Sequence, residues 1–250
     1  MHQQEAGLAI FHPIKPKRAF DEISSEIKRL IFKGTLKPGD RLPSETELAN
    51  QFGVGRQTIR EALRLLELSG FISMQKGGTK GPLVVDTILN SIGNSFLDAF
   101  QMKRIRVDEL TTARLEIEKM VLRAACTNAT KDDIKALHEN MAGARKGIDG
   151  NEQQAFEENI QFHKLLARAS HNHVFVIVME SITAVVGHFR SLLGVDSELS
   201  RRVLNEHERI VKAMEAHDVN KALTILERHI LDVGEGFKRA ANRELFDFII

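Results

Sequence analysis

The chain has 250 residues, enough for one large domain or two smaller ones. Hydrophobic residues make up 42% and charged residues 28%, and 35 Lys+Arg face 34 Asp+Glu. That balance excludes a wholesale cationic nucleic-acid coat and an acidic disordered chain.

The single cysteine, Cys126, excludes a disulfide-stapled scaffold and favours a reducing compartment. Trp and Tyr are absent, which removes the usual stacking platforms for single-stranded nucleic acid, although fourteen Phe remain. Met1–Ile10 lacks a basic segment followed by an apolar core, so no signal peptide is expected. The longest apolar stretch, around Val174–Phe189, contains Glu180 and His188 and reads as a buried or amphipathic helix, not a membrane span. A cytoplasmic protein is expected.

The overall charge hides a split. Residues 1–85 carry a balance of +4 and residues 86–250 one of −3. All five prolines lie before Asp86, and helical periodicity then runs almost unbroken to the end. Three segments are therefore expected: a flexible arm over 1–17, a DNA-binding domain over 18–85 and an all-helical domain over 86–250.

In the first domain, Phe20, Ile23, Ile27, Leu30 and Ile31 recur at helical spacing and predict a helix over 18–33. Leu36–Asp40 is a Pro-Gly turn. Ser44-Glu45-Thr46-Glu47 has the form of a capping box and opens a second helix. Gly53-Val54-Gly55 is a tight turn, and a third helix starts near Arg56. Its inner face is Ile59, Ala62, Leu63 and Leu66, and Gly70 is its expected C′ residue. This spacing is that of a helix-turn-helix.

Arg56, Arg60 and Arg64 form an outward stripe at i, i+4 and i+8, with Gln57 and Thr58 near the helix N-terminus. Taken alone, such a stripe also suits a solvated surface helix. Phe71–Met74 and Leu83–Val85 are β-prone and flank a basic, glycine-rich tip containing Lys76 and Lys80. A wing of this kind beside the arginine stripe would touch phosphates or the minor groove.

Lys37–Glu45 followed by Leu48-Ala49, and Gly53–Leu63 followed by Leu66-Glu67 and Gly70, resemble the winged helix of the GntR family. The resemblance covers about residues 18–85. It implies a bacterial transcription regulator that binds a palindromic double-stranded DNA operator as a homodimer. Carried onto this chain, the DNA contacts are Arg56, Thr58, Arg60, Lys76 and Gly77. Thr46 stands where the family often has Arg, which removes one cationic contact.

The second domain should hold seven helices, near 86–104, 108–128, 131–147, 151–170, 173–194, 197–217 and 219–243, in an antiparallel bundle. The fold class is thus mainly α: a winged helix-turn-helix followed by a helical bundle. The first of these helices, with Ile88, Ile92, Phe96 and Phe100, is a candidate coupling or dimer element. Thr130–Asp133 is a helix start.

Of eight histidines in this domain, His138, His171, His173 and His217 read as surface residues. His163, His207 and His229 sit on three different helices, and Asn159 shares a face with His163 at i, i+4. Three imidazoles with an oxygen donor suit Zn²⁺ or a similar borderline metal, but spacing between separate helices leaves convergence open.

Arg114–Glu118, Phe162-His163 with Leu166, Glu206-His207 with Ile210, and Arg228-His229 resemble the FCD effector domain of the FadR subfamily. The resemblance implies a divalent metal (zinc, with nickel or manganese as alternatives) held by Asn159, His163, His207 and His229. It further implies that Arg114 reaches the carboxylate of a small organic acid. Asn159 stands where the family has an acidic ligand. Arg114 and Glu118 are also spaced for an intrahelical ion pair.

The function implied is a repressor whose operator binding responds to that acid. A regulator sensing the metal itself, or a hydrolase built on a three-histidine metal, are the alternatives. No nucleophile motif or phosphate loop supports an enzyme.

Overall fold

The computed structural model describes residues 18–74, 81–99, 102, 105–192 and 197–244. The arm over 1–17, the wing tip with Lys76, Gly77 and Lys80, and Phe100 lie outside them. The chain divides into two compact units after Ile88. Among the described residues it forms ten α-helices and a small two-stranded sheet.

The first unit is built on α1 (Ala19–Phe32), α2 (Glu45–Phe52) and α3 (Arg56–Leu68). Ser44 caps α2: its side chain accepts from the Glu47 backbone N–H while Glu47 answers to the Ser44 N–H, so two otherwise unpaired donors are satisfied. α3 buries Ile59, Ala62, Leu63 and Leu66 against Ile23 and Ile27 of α1 and Leu48 and Ala49 of α2. It closes in a Schellman turn, with Gly70 N–H on the Glu67 carbonyl and Phe71 N–H on that of Leu66. Gly70 has φ +77°, and a Cβ there would lie 2.7 Å from the Thr87 backbone, so only glycine fits.

The wing pairs β1 (Ile72–Ser73) with β2 (Leu83–Val84) in antiparallel register, Ile72 opposite Val84. Residues 39–42 bond to the free edge of β2 through Gly39 N–H to the Val84 carbonyl, Val84 N–H to the Asp40 carbonyl and Leu42 N–H to the Pro82 carbonyl. The Pro-Gly turn is therefore the third element of the wing, a role its sequence does not announce.

The second unit contains α5 (Val107–Asn128), α6 (Lys131–Gly150), α7 (Glu152–Ala169), α8 (His173–Leu192), α9 (Ser197–Glu215) and α10 (Val219–Glu244). They follow α4 (Ile88–Ala99), whose first residue closes the first unit. Thr130 and Asp133 form a capping box at the start of α6. α7 packs against α5, α6, α8 and α9, and α10 against α5 and α9. α7 is thus surrounded, and its sequence shows it: Ala155, Phe156, Asn159, Phe162, His163, Leu166 and Ala167 are all buried. A helix buried on so broad a face brings any polar residue on it into the core, where it needs a partner.

Candidate functional site

Two sets of residues could carry function, one in each unit. In the first, Arg56, Gln57 and Arg60 are exposed and Thr58 is half-buried on the first turns of α3; Arg64 is exposed one turn further on. The stripe is not simply solvated. Arg60 Nε donates to Glu45 Oε2 at 2.7 Å, and Arg56 Nη2 lies 3.8 Å from the same oxygen. Glu45 belongs to the capping segment of α2, and its pairing across the turn was not foreseen from the sequence.

In the second unit, α7 brings Asn159 and His163, α9 brings His207 and α10 brings His229 into one buried cluster. One ligand atom from each imidazole lies within 4.8 Å of the others. His207 stacks on Phe162 with centroids 3.8 Å apart and planes 9° from parallel. Asn159 is buried, and neither its Oδ1 nor its Nδ2 has a hydrogen-bond partner. Arg114, Asn159, His163 and His229 line a cavity of about 30 Å³ whose other walls are Phe156, Ile160, Val186, Val203, Val233 and Phe237. His138, His171, His173 and His217 are exposed, the first two paired with Glu215 and Asp133.

Two carboxylates orient the rings. His163 Nδ1 lies 2.6 Å from Glu118 Oε2, and His229 Nδ1 lies 2.8 Å from Glu206 Oε2. A carboxylate only accepts, so the proton of each neutral ring sits on Nδ1 and the lone pair on Nε2. The two Nε2 atoms face each other at 3.4 Å. Two lone pairs at that separation repel unless a cation serves both, and Arg114 Nη2 at 3.1 Å reaches that of His163. Two nitrogens on one tetrahedral zinc would stand about 3.3 Å apart, given Zn–N bonds of about 2.0–2.1 Å. The observed distance fits that geometry, and the orphaned Asn159 amide supplies an oxygen donor beside it.

Glu118 and Glu206 are the outer partners that metal-ligating imidazoles ordinarily have. Sequence reasoning missed both in this role. The available signal was Glu118 one turn after Arg114, and Glu206 next to His207.

Arg114 makes the intrahelical pair its spacing allowed and also lines the cavity. Its Nε donates to Glu118 Oε1 at 2.6 Å, the i, i+4 pair, and it also stands on the cavity wall with its Nη2 3.1 Å from His163 Nε2. Burial pushes the His163 imidazole down to about 4, against the pull of Glu118, so the ring is neutral at physiological pH. Burial would raise the Glu118 carboxyl, but His163 and Arg114 outweigh it and hold the group at about 2. With the imidazole neutral, the Arg114 guanidinium is the charge that keeps Glu118 ionised.

Cys126 lies elsewhere on α5, beside a separate cavity lined by Ala129, Ile134 and Met214, and burial pushes its thiol up.

Comparison with known proteins agrees with this division. Residues 20–79 match the model for bacterial regulatory proteins of the gntR family, and residues 109–232 match the FCD domain. The Bacillus subtilis HTH-type transcriptional regulator LutR is 28% identical over 82% of this chain and 94% of its own length. The Uxu operon transcriptional regulator of Escherichia coli is 26% identical over 90% of this chain and 89% of its own. A Streptococcus agalactiae GntR structure superposes with a TM-score of 0.66 at 21% identity, over 87% of this chain and 99% of that one, which shows a shared fold. These families and relatives are transcriptional regulators, not enzymes.

Proposed function

Because the chain belongs to the GntR family of bacterial transcriptional regulators and carries an FCD effector-binding domain, we propose that it is a cytoplasmic repressor governed by a small carboxylate bound at a metal. The unit over 18–85 reads a palindromic operator, and the unit over 86–250 senses and dimerises. This is the pattern of the FadR subfamily.

The facing Nε2 atoms of His163 and His229 carry the reading. His163, His207 and His229 with the Asn159 amide oxygen would hold a divalent ion, zinc being the best match to nitrogen donors at this spacing. Such an ion would supply positive charge for an anionic ligand. Among the described residues, Arg114 is the one Lys or Arg side chain lining the same cavity, and its guanidinium can pair with a carboxylate. Glu118 and Glu206 fix the two ring orientations. On α3, Arg56, Gln57, Thr58 and Arg60 would meet base edges and backbone, with Lys76 and Gly77 of the wing on phosphate. The effector acts by binding one arrangement of the dimer better than another, and shifts the balance by no more than that difference.

A second reading, that the metal itself is the signal, is favoured by the cavity's volume of about 30 Å³, room for little more than an ion and a water. Operator binding titrated with zinc alone, then with zinc plus small carboxylates, separates the two. The shared premise is checked by loading the protein with zinc, dialysing, and measuring metal per chain. The wild type should retain about one ion. His207→Ala should lose the ion and the effector response and still bind operator. A wild type that retains no metal overturns both readings.

A further inference from the structure

One lone pair in the buried cluster has two possible uses. A neutral imidazole protonated on Nδ1 has a single acceptor, Nε2. In His163 the Glu118 contact places the proton on Nδ1, and Arg114 Nη2 lies 3.1 Å from Nε2. Arg114 is meanwhile tied down through its other edge, Nε on Glu118 Oε1 at 2.6 Å. Glu118 therefore grips both the arginine and the histidine, one with each oxygen, and aims the guanidinium at the ring's only lone pair. All three side chains are at most 4% exposed, so bulk water has little access to them.

We propose that Arg114 Nη2 and the metal compete for His163 Nε2, so that metal binding frees the Arg114 donor for the effector. This rests on the metal reading above and adds its regulation. A metal ligated by His163 needs the electron pair that now accepts from Arg114, and the two uses exclude each other. Arg114 keeps its Nε bond to Glu118, so it stays in the cavity with its terminal nitrogens released. A buried charged donor without a partner is costly, and a carboxylate arriving at the cavity relieves that cost. Metal and carboxylate then favour each other's binding, and by linkage the effect is reciprocal. Binding is ordered: metal first, acid second.

The arrangement predicts an unexpected sign. An arginine near a metal that served only the effector would oppose it through like charge alone. Here Arg114→Met deletes a competitor and a like charge, so zinc should bind about tenfold more tightly or better. The measurement is competition for zinc between stripped protein and a chromophoric chelator, with thermal melts confirming that the variant folds. Equal or weaker zinc affinity in folded Arg114→Met overturns the proposal. A wild type with no zinc affinity instead overturns the metal reading beneath it.

Because Arg114→Met strands Glu118 in the core and could fail to fold, the wild type supplies a second arm. In protein labelled with ¹⁵N-arginine, zinc should loosen the Arg114 Nη groups, seen as faster exchange and rotation, while its Nε–H signal persists. Nη signals unchanged on zinc binding would overturn the proposal without any substitution.

Discussion

Glu45 on α2 and Arg60 on α3 are joined across the helix-turn-helix at 2.7 Å, Oε2 to Nε. The bond uses the inner edge of the guanidinium, and the two terminal nitrogens are the ones a guanine would take in a bidentate contact. Arg60→Ala should therefore weaken operator binding by about 1–3 kcal/mol and relax specificity at one base pair per half-site. Lys76→Ala should weaken specific and random sequences alike. Mobility-shift titrations at fixed salt check both, and unchanged binding by Arg60→Ala would remove α3 from the interface.

The acid limb of stability follows from His163. In the unfolded chain its ring takes a proton near 6.5, but in the fold only near 4. Between those values the unfolded chain binds more protons, so this contribution is whole above 6.5 and is lost as the pH falls through the window. By pH 5 the His163 share of the loss is about 2 kcal/mol. Glu118, held at about 2 against an ordinary 4.5, adds a further loss below 4.5. Chelator-treated protein should show this in denaturant melts at pH 7.5 and 5, and His163→Gln should flatten the upper part of the slope.

In the proposed metal site, Asn159 would be a neutral ligand where a carboxylate would add charge. Asn159→Asp should tighten zinc by placing a negative oxygen among the imidazoles. The same change should weaken an anionic effector by cancelling site charge. Zinc competition and effector titration should thus move in opposite directions. Movement in the same direction would mean that effector affinity is not governed by site charge.

Gly70 tests the junction of α3 and the wing. Its φ of +77° and the 2.7 Å approach of Thr87 leave no place for a methyl group. Gly70→Ala should cost at least about 1 kcal/mol in the first unit from backbone strain alone. A melt equal to wild type would show that the turn relaxes freely.

The sequence displayed its helices well because their determinants are local. The Ser44 and Thr130 capping boxes, the apolar stripe of α3 and the turn glycine Gly70 each state their role within four residues. The seven helices of the second unit followed from periodicity for the same reason. Convergence of His163, His207 and His229 was different. They come from α7, α9 and α10, and only tertiary packing brings their nitrogens together, so spacing could not decide it and the family resemblance had to. Glu118 stayed hidden for a related reason. It looked like half of an intrahelical pair with Arg114, which it is, while its second oxygen reaches a helix 45 residues away. The Glu45 contact with Arg60 crosses a turn that both helices had already explained.

The donor set has one more consequence. Imidazole and amide ligands carry no oxidisable sulfur, and the chain's one thiol, Cys126, sits beside another cavity with burial holding it in the protonated, unreactive form. A zinc sensor of the kind proposed would present no thiolate ligand for peroxide to attack. Thiolate sites lose their metal when the cell is oxidised and so report stress along with their ligand. The proposed site, with no thiolate, would keep its ion under oxidation, so its response would follow its ligand rather than redox stress.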